Sequence, residues 1–129
     1  MSNELRRVIG DRTDGTNLSI ALGWDRYNIM NFQEAMKMME DSDEVKMIVM
    51  LWEVGWVDEI EIADMIKSGV IKKPVVAWCI GTIDDQISGE VQFGHAWAKS
   101  NKLEETANYK NKYLQDAGAV VPESFMDFG

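Results

Sequence analysis

A chain of 129 residues sits near the commonest domain size, so one hydrophobic core and a single domain spanning residues 1–129 are expected. With 46% hydrophobic and 27% charged residues the composition excludes a disordered or fibrous protein. The net charge of −9, from 22 acidic against 13 basic residues with no basic cluster, excludes nucleic acid and anionic membrane as partners.

Residues 4–13 read as a short helix ended by the Asp14-Gly15 turn, and Leu18-Ser-Ile-Ala-Leu22 is a short apolar run stopping at Gly23. Asn31 is a good N-cap for a helix whose stripe is Phe32, Ala35, Met36 and Met39. Val45 to Leu51 is almost continuously apolar, as expected of a strand covered on both faces. Asp58 to Lys67 places Ile60, Ile62, Ala63 and Ile66 on one helical stripe, closed by Ser68 and a C-capping Gly69. Lys73 to Ile80 is a second buried strand, Thr82 to Ser88 a polar loop, and residues 101–116 a long charged helix ending at Ala117-Gly118. Ala119-Val-Val121 is a last short strand and Phe125 to Phe128 a terminal turn. Strands alternating with helices at this spacing predict an α/β fold with a mostly parallel sheet and helices on both faces.

The chemistry available is sparse. His95, in Glu90-Val-Gln-Phe-Gly-His-Ala96, is the only histidine, and Cys79 the only cysteine. One of each with scattered carboxylates makes no metal ligand set, and no cofactor is expected. A lone cysteine in an apolar strand reads as a buried, inert thiol in a reducing compartment, so the cytoplasm is the expected location. No apolar stretch reaches the ~18 residues that span a bilayer, and no signal-peptide core follows Met1 to Arg7.

The runs Trp78-Cys-Ile-Gly-Thr82, Glu90 to Ala96 and Ala117-Gly-Ala-Val-Val-Pro-Glu-Ser-Phe125 resemble the succinyl-CoA synthetase superfamily, most closely ATP citrate lyase and its citryl-CoA synthetase relatives. Met1 to Leu5, Asp25-Arg-Tyr27, Val45 to Val49 and Lys73-Pro74 keep the same register, so the resemblance covers the whole chain. It implies a flavodoxin-like, three-layer domain in which the histidine of Gly94-His95-Ala96 carries a phosphoryl group from ATP to a carboxylate substrate. An imidazole suits that task because it is nucleophilic near neutral pH and its phosphoramidate is reactive. The resemblance further implies that Glu4 orients His95. It also implies that Trp52-Glu-Val-Gly-Trp56 stands where relatives have a glycine-rich loop and helix N-terminus for the phosphate, with Glu53 and Gly55 as its remnant. Relatives carry a strand immediately before Met1, so the first strand of the family domain is expected to be missing. The ATP-grasp and CoA-binding domains are expected to be missing too, and independent catalysis is not expected.

Trp24, Trp52, Trp56 and Trp97 stand where this family has glycine, and Asn28-Ile29, followed by Met30, replaces a Pro-Gly pair. The first three tryptophans fall just beyond strand carboxyl ends, the edge where open α/β sheets bind ligands. An indole removes the room that glycine leaves for close backbone approach to a phosphate. Two readings therefore stand side by side. One is a phosphohistidine domain working with complementary chains. The other is a scaffold altered by design or divergence, whose Trp24, Trp52, Trp56, Trp97, Ile29 and Met30 form an interface for self-association or an apolar pocket.

Overall fold

A computed structural model describes residues 2–23, 27–55, 57–83 and 103–129. Among these residues there are four helices, α1 (Ser2–Arg12), α2 (Phe32–Asp41), α3 (Asp58–Lys67) and α4 (Ala107–Asp116), and two strands, β1 (Ile48–Trp52) and β2 (Val75–Cys79). The strands pair in parallel, Ile48 against Val75 through to Trp52 against Cys79. The α/β class and parallel pairing agree with the reading of the sequence.

Helix α2 begins where the N-cap signal places it. The Asn31 side chain accepts from the Glu34 backbone N–H at 2.8 Å, and the Glu34 carboxylate accepts from the Asn31 N–H at 2.9 Å, completing a capping box. Of its stripe, Ala35 and Met36 are buried, Phe32 and Met39 partly so, and Met38 faces solvent. Helix α3 matches its expected span, yet its buried side chains are Glu59, Ile62 and Ala63, with Ile60 only half-buried. The stripe begins one residue earlier than hydrophobicity alone indicates.

Alternation along the strands divides the sheet into two unlike faces. Ile48, Met50 and Trp52 of β1, with Val75, Ala77 and Cys79 of β2, are buried against Met36, Ile62, Ala63, Ala107 and Leu114 from α2, α3 and α4. On the other face Val49, Leu51, Val76 and Trp78 are half-buried. Trp78 meets Phe128 of the terminal 3₁₀ turn edge-on, with ring centroids 6.3 Å apart. Full cover on both faces, expected from the apolar run at 45–51, is thus replaced by one sealed and one partly open face. Residues 45–47 precede the strand instead of joining it.

The expected strand 119–121 is reduced to a single parallel bridge. The Val120 N–H donates to the Val75 carbonyl at 2.8 Å and its carbonyl accepts from Ala77 at 2.9 Å. Helix α4 starts at Ala107, later than the span 101–116. Thr106 takes the N-cap role, accepting from the Tyr109 N–H at 3.3 Å, and a 3₁₀ turn, Leu103–Glu105, precedes it. The apolar run 18–22 forms no strand, and among the described residues β1 pairs only with β2. Beside β1 lies a cleft of about 730 Å³ bordered by α1, residues 13–22 and α2, with Leu5, Ile9, Leu22 and Leu51 on its walls.

Candidate functional site

The parallel strands bring two turns to their common carboxyl edge. After Trp52 the chain continues through Glu53, Val54 and Gly55, and after Cys79 through Ile80 and Gly81. Gly55 has φ +88° and Gly81 φ +97°, so both turns use a left-handed conformation that glycine adopts without strain. The turns touch, since a Cβ built on Gly81 would lie 2.8 Å from Val54 Cγ1, and Val54 is itself 1% exposed. The Ile80 N–H donates to the Trp52 carbonyl at 2.8 Å and closes the ladder between them.

Three buried polar side chains support this edge. Lys110 of α4 is fully buried, and its ammonium donates to the Glu59 carboxylate at 2.8 Å, to the Glu53 carbonyl at 3.2 Å and to the Gly55 carbonyl. Its neighbour Asn111 brackets Cys79, accepting from the Cys79 N–H at 2.7 Å and donating to the Cys79 carbonyl at 3.0 Å. The Gly55 N–H donates to the Glu105 carbonyl at 3.1 Å, just ahead of α4.

Burial pushes the Glu59 carboxyl up to about 7, while the Lys110 ammonium and Glu59's own backbone N–H pull it back. Its second oxygen, Oε2, has no hydrogen-bond partner among the described residues. Asp58, at the start of α3, is also raised, first by burial and then by the neighbouring Glu61. Burial raises the Cys79 thiol well above its ordinary value, with Glu59 adding to the effect, so the thiol stays protonated and unreactive.

These polar residues escaped the reading of the sequence, although a signal for them exists. Ala107, Lys110, Asn111 and Leu114 follow the i, i+3, i+4, i+7 rhythm of a buried helical stripe, as do Glu59, Ile62, Ala63 and Ile66. Counting only apolar residues removes Lys110, Asn111 and Glu59 from stripes to which their spacing assigns them.

The residues singled out in the sequence fare unequally. Glu53 and Gly55 sit together in the turn after β1. Glu4 lies on exposed α1, where its Oε1 accepts from Arg7 Nε at 3.0 Å and Nη2 at 2.6 Å. The Arg7 hydrogen bond holds the Glu4 carboxyl below its ordinary range. Trp52 is buried, its ring 3.8 Å from that of Phe32, and it borders the cleft. Ile29 is wholly exposed and Met30 half-buried. His95, Gly94, Trp24, Trp56 and Trp97 lie outside the described residues.

Comparison with known proteins decides the family. The CoA-ligase model matches residues 1–120. The chain belongs to the CoA-ligase family. Over its whole length this CoA-ligase domain is 50% identical to a probable ATP-citrate synthase of Caenorhabditis elegans and 46% identical to the ATP-citrate synthase of Homo sapiens, covering 12% of each. Among solved structures, the ATP citrate lyase of Methanosaeta concilii, a mutant in complex with (3S)-citryl-CoA, matches with a TM-score of 0.92 and 42% identity. That match covers 98% of this chain and 21% of the lyase. The ATP citrate lyase of Methanothrix soehngenii, in complex with citrate and coenzyme A, matches equally. The chain therefore spans only a small fraction of the relatives it resembles. Among the described residues no helix is long and apolar enough to cross a membrane, and no group of three or more His, Cys, Asp or Glu is placed to hold a metal ion.

Proposed function

We propose that these 129 residues form the phosphoryl-carrying domain of an ATP citrate lyase type of enzyme, in which His95 is the carrier and Glu4 its orienting acid. The observation that carries this reading is the TM-score of 0.92 at 42% identity to a citryl-CoA-bound ATP citrate lyase. The two glycine turns converging at one carboxyl edge agree with it. A neutral imidazole nitrogen of His95 attacks the γ-phosphorus of ATP, forming an N–P bond as the P–O bond to ADP breaks. A carboxylate oxygen of citrate then attacks the same phosphorus and releases the imidazole, leaving an acyl phosphate. With its carboxyl held low by Arg7, Glu4 is an anion at neutral pH, the state required to accept an imidazole N–H.

ATP and CoA are handled by complementary chains or domains, and the protein is not catalytic alone. The buried, unreactive Cys79 fits the reducing cytoplasm. Incubation with ATP and the complementary domains of a relative should leave acid-labile phosphate on His95, lost in His95→Asn and diminished in Glu4→Gln. Folded protein that takes up no phosphate would end the reading.

Two observations favour a second reading, in which the altered edge serves self-association or an apolar pocket. Ile29 stands fully exposed, and the cleft beside β1 has Trp52 on its wall. Sedimentation of the chain beside a variant with Trp24, Trp52, Trp56 and Trp97 all returned to Gly tests it. Identical monomers would remove the self-association form.

A further inference from the structure

We infer that Lys110 and Asn111, neighbours on α4, are positioning residues that set the conformation of both turns at the carboxyl edge of the sheet, with Glu59 holding Lys110 in place. An ammonium has three N–H donors, and all three are committed here. One goes to the Glu59 carboxylate, and the other two go to carbonyls of Glu53 and Gly55, two residues apart in the turn after β1. Two carbonyls gathered onto one buried cation fix the orientation of the peptide planes between them. The left-handed φ of Gly55 is what lets its carbonyl reach the same point as that of Glu53. The N–H of Gly55 is held separately by Glu105, so the turn is gripped on both sides by α4 and its lead-in.

Asn111 does the corresponding work one residue later. Its amide matches both backbone groups of Cys79, as a neighbouring strand would, and so fixes the end of β2 from which Gly81 departs. Val54 and Gly81 are in contact, so the two turns are supported from one helix and also lean on each other.

A purely structural account of the pair is weak, because burying two charges carries a desolvation cost that apolar residues of similar volume avoid. The backbone carbonyls give the charge its use. A group with several N–H donors at this position can gather them, and an apolar replacement cannot. The inference rests on the phosphohistidine reading for what the turns hold, while the grip of α4 on them stands on the geometry alone.

Amide hydrogen exchange in the protein, read at Gly55 and Cys79, separates positioning from general stability. Lys110→Met should accelerate exchange at Gly55 by about tenfold relative to the core while leaving Cys79 close to its original rate. Asn111→Leu should do the reverse. If Lys110→Met folds poorly, the double variant Glu59→Leu/Lys110→Met, which fills the site with apolar groups, should restore the fold while Gly55 stays fast. Equal acceleration at both amides in either single variant, or recovery of Gly55 protection in the double variant, would overturn the inference. Measured alongside, acid-labile phosphate on His95 should fall in both single variants. A wild-type protein that takes up none would count against the phosphohistidine reading, leaving the exchange pattern to judge the positioning.

Discussion

Moving from about pH 5 to about pH 7.5 should destabilise this protein through one carboxyl. Glu59 is 1% exposed and its folded-state value is raised from 4.5 to about 7, burial outweighing its ion pair with Lys110. Between those two values the folded state keeps a proton that the unfolded chain has released. The contribution of Glu59 is thus fully present below pH 4.5 and is lost as the pH rises through about 7. At 1.36 kcal/mol for each pH interval of one, the full contribution is about 3 kcal/mol, of which about 2 kcal/mol is lost between about pH 5 and about pH 7.5. Urea unfolding followed by far-UV circular dichroism at a series of pH values reads it directly, as a falling midpoint at constant slope. Glu59→Gln keeps an acceptor for Lys110 but cannot titrate, so its profile over this interval should be much flatter. A flat wild-type profile, or a slope that survives unchanged in Glu59→Gln, would show that the buried pair does not govern this window.

Four further outcomes follow from the same structure. Gly81→Ala places a Cβ 2.8 Å from Val54 Cγ1 at a φ of +97°, and should lower stability by about 2–4 kcal/mol in urea unfolding. Gly10→Ala, on exposed α1 with nothing within 4 Å of the new Cβ, should instead raise it by about 0.5–1 kcal/mol. Asn111→Ala leaves the N–H and C=O of Cys79 without their side-chain partner in the core and should cost about 3 kcal/mol, measured in the same way. Removing the capping box with Asn31→Ala should cost about 1 kcal/mol and lower the melting temperature.

Helix α2 and helix α3 were legible because their determinants are local. Asn31 and Glu34 cap within one turn, and the chain between Asp58 and Ser68 carries both a stripe and a stop. The start of α4 at Thr106 was equally available from its N-cap chemistry, but a long charged run drew the expected boundary toward residue 101. Parallel strands must deliver their following turns to one side, so the turns after β1 and β2 share an edge, but Trp52, expected just beyond the first strand, is its last residue and is buried.

By itself, the sequence determined the α/β class, the parallel pairing and the family, because periodicity, caps and an ungapped register of motifs are properties of the chain's order. Only the tertiary structure decided what each stripe buries. Whether Lys110 snorkels to water or turns inward depends on carbonyls of Glu53 and Gly55 more than fifty residues away in sequence. Whether Trp52 faces outward or inward depends on Phe32 twenty residues earlier. The apolar run at 45–51 became a shorter strand with one half-open face because cover comes from neighbours, and a segment's own hydrophobicity cannot supply it. Burial is decided by contacts distant in the chain, and so are the buried charge and the paired turns that depend on it.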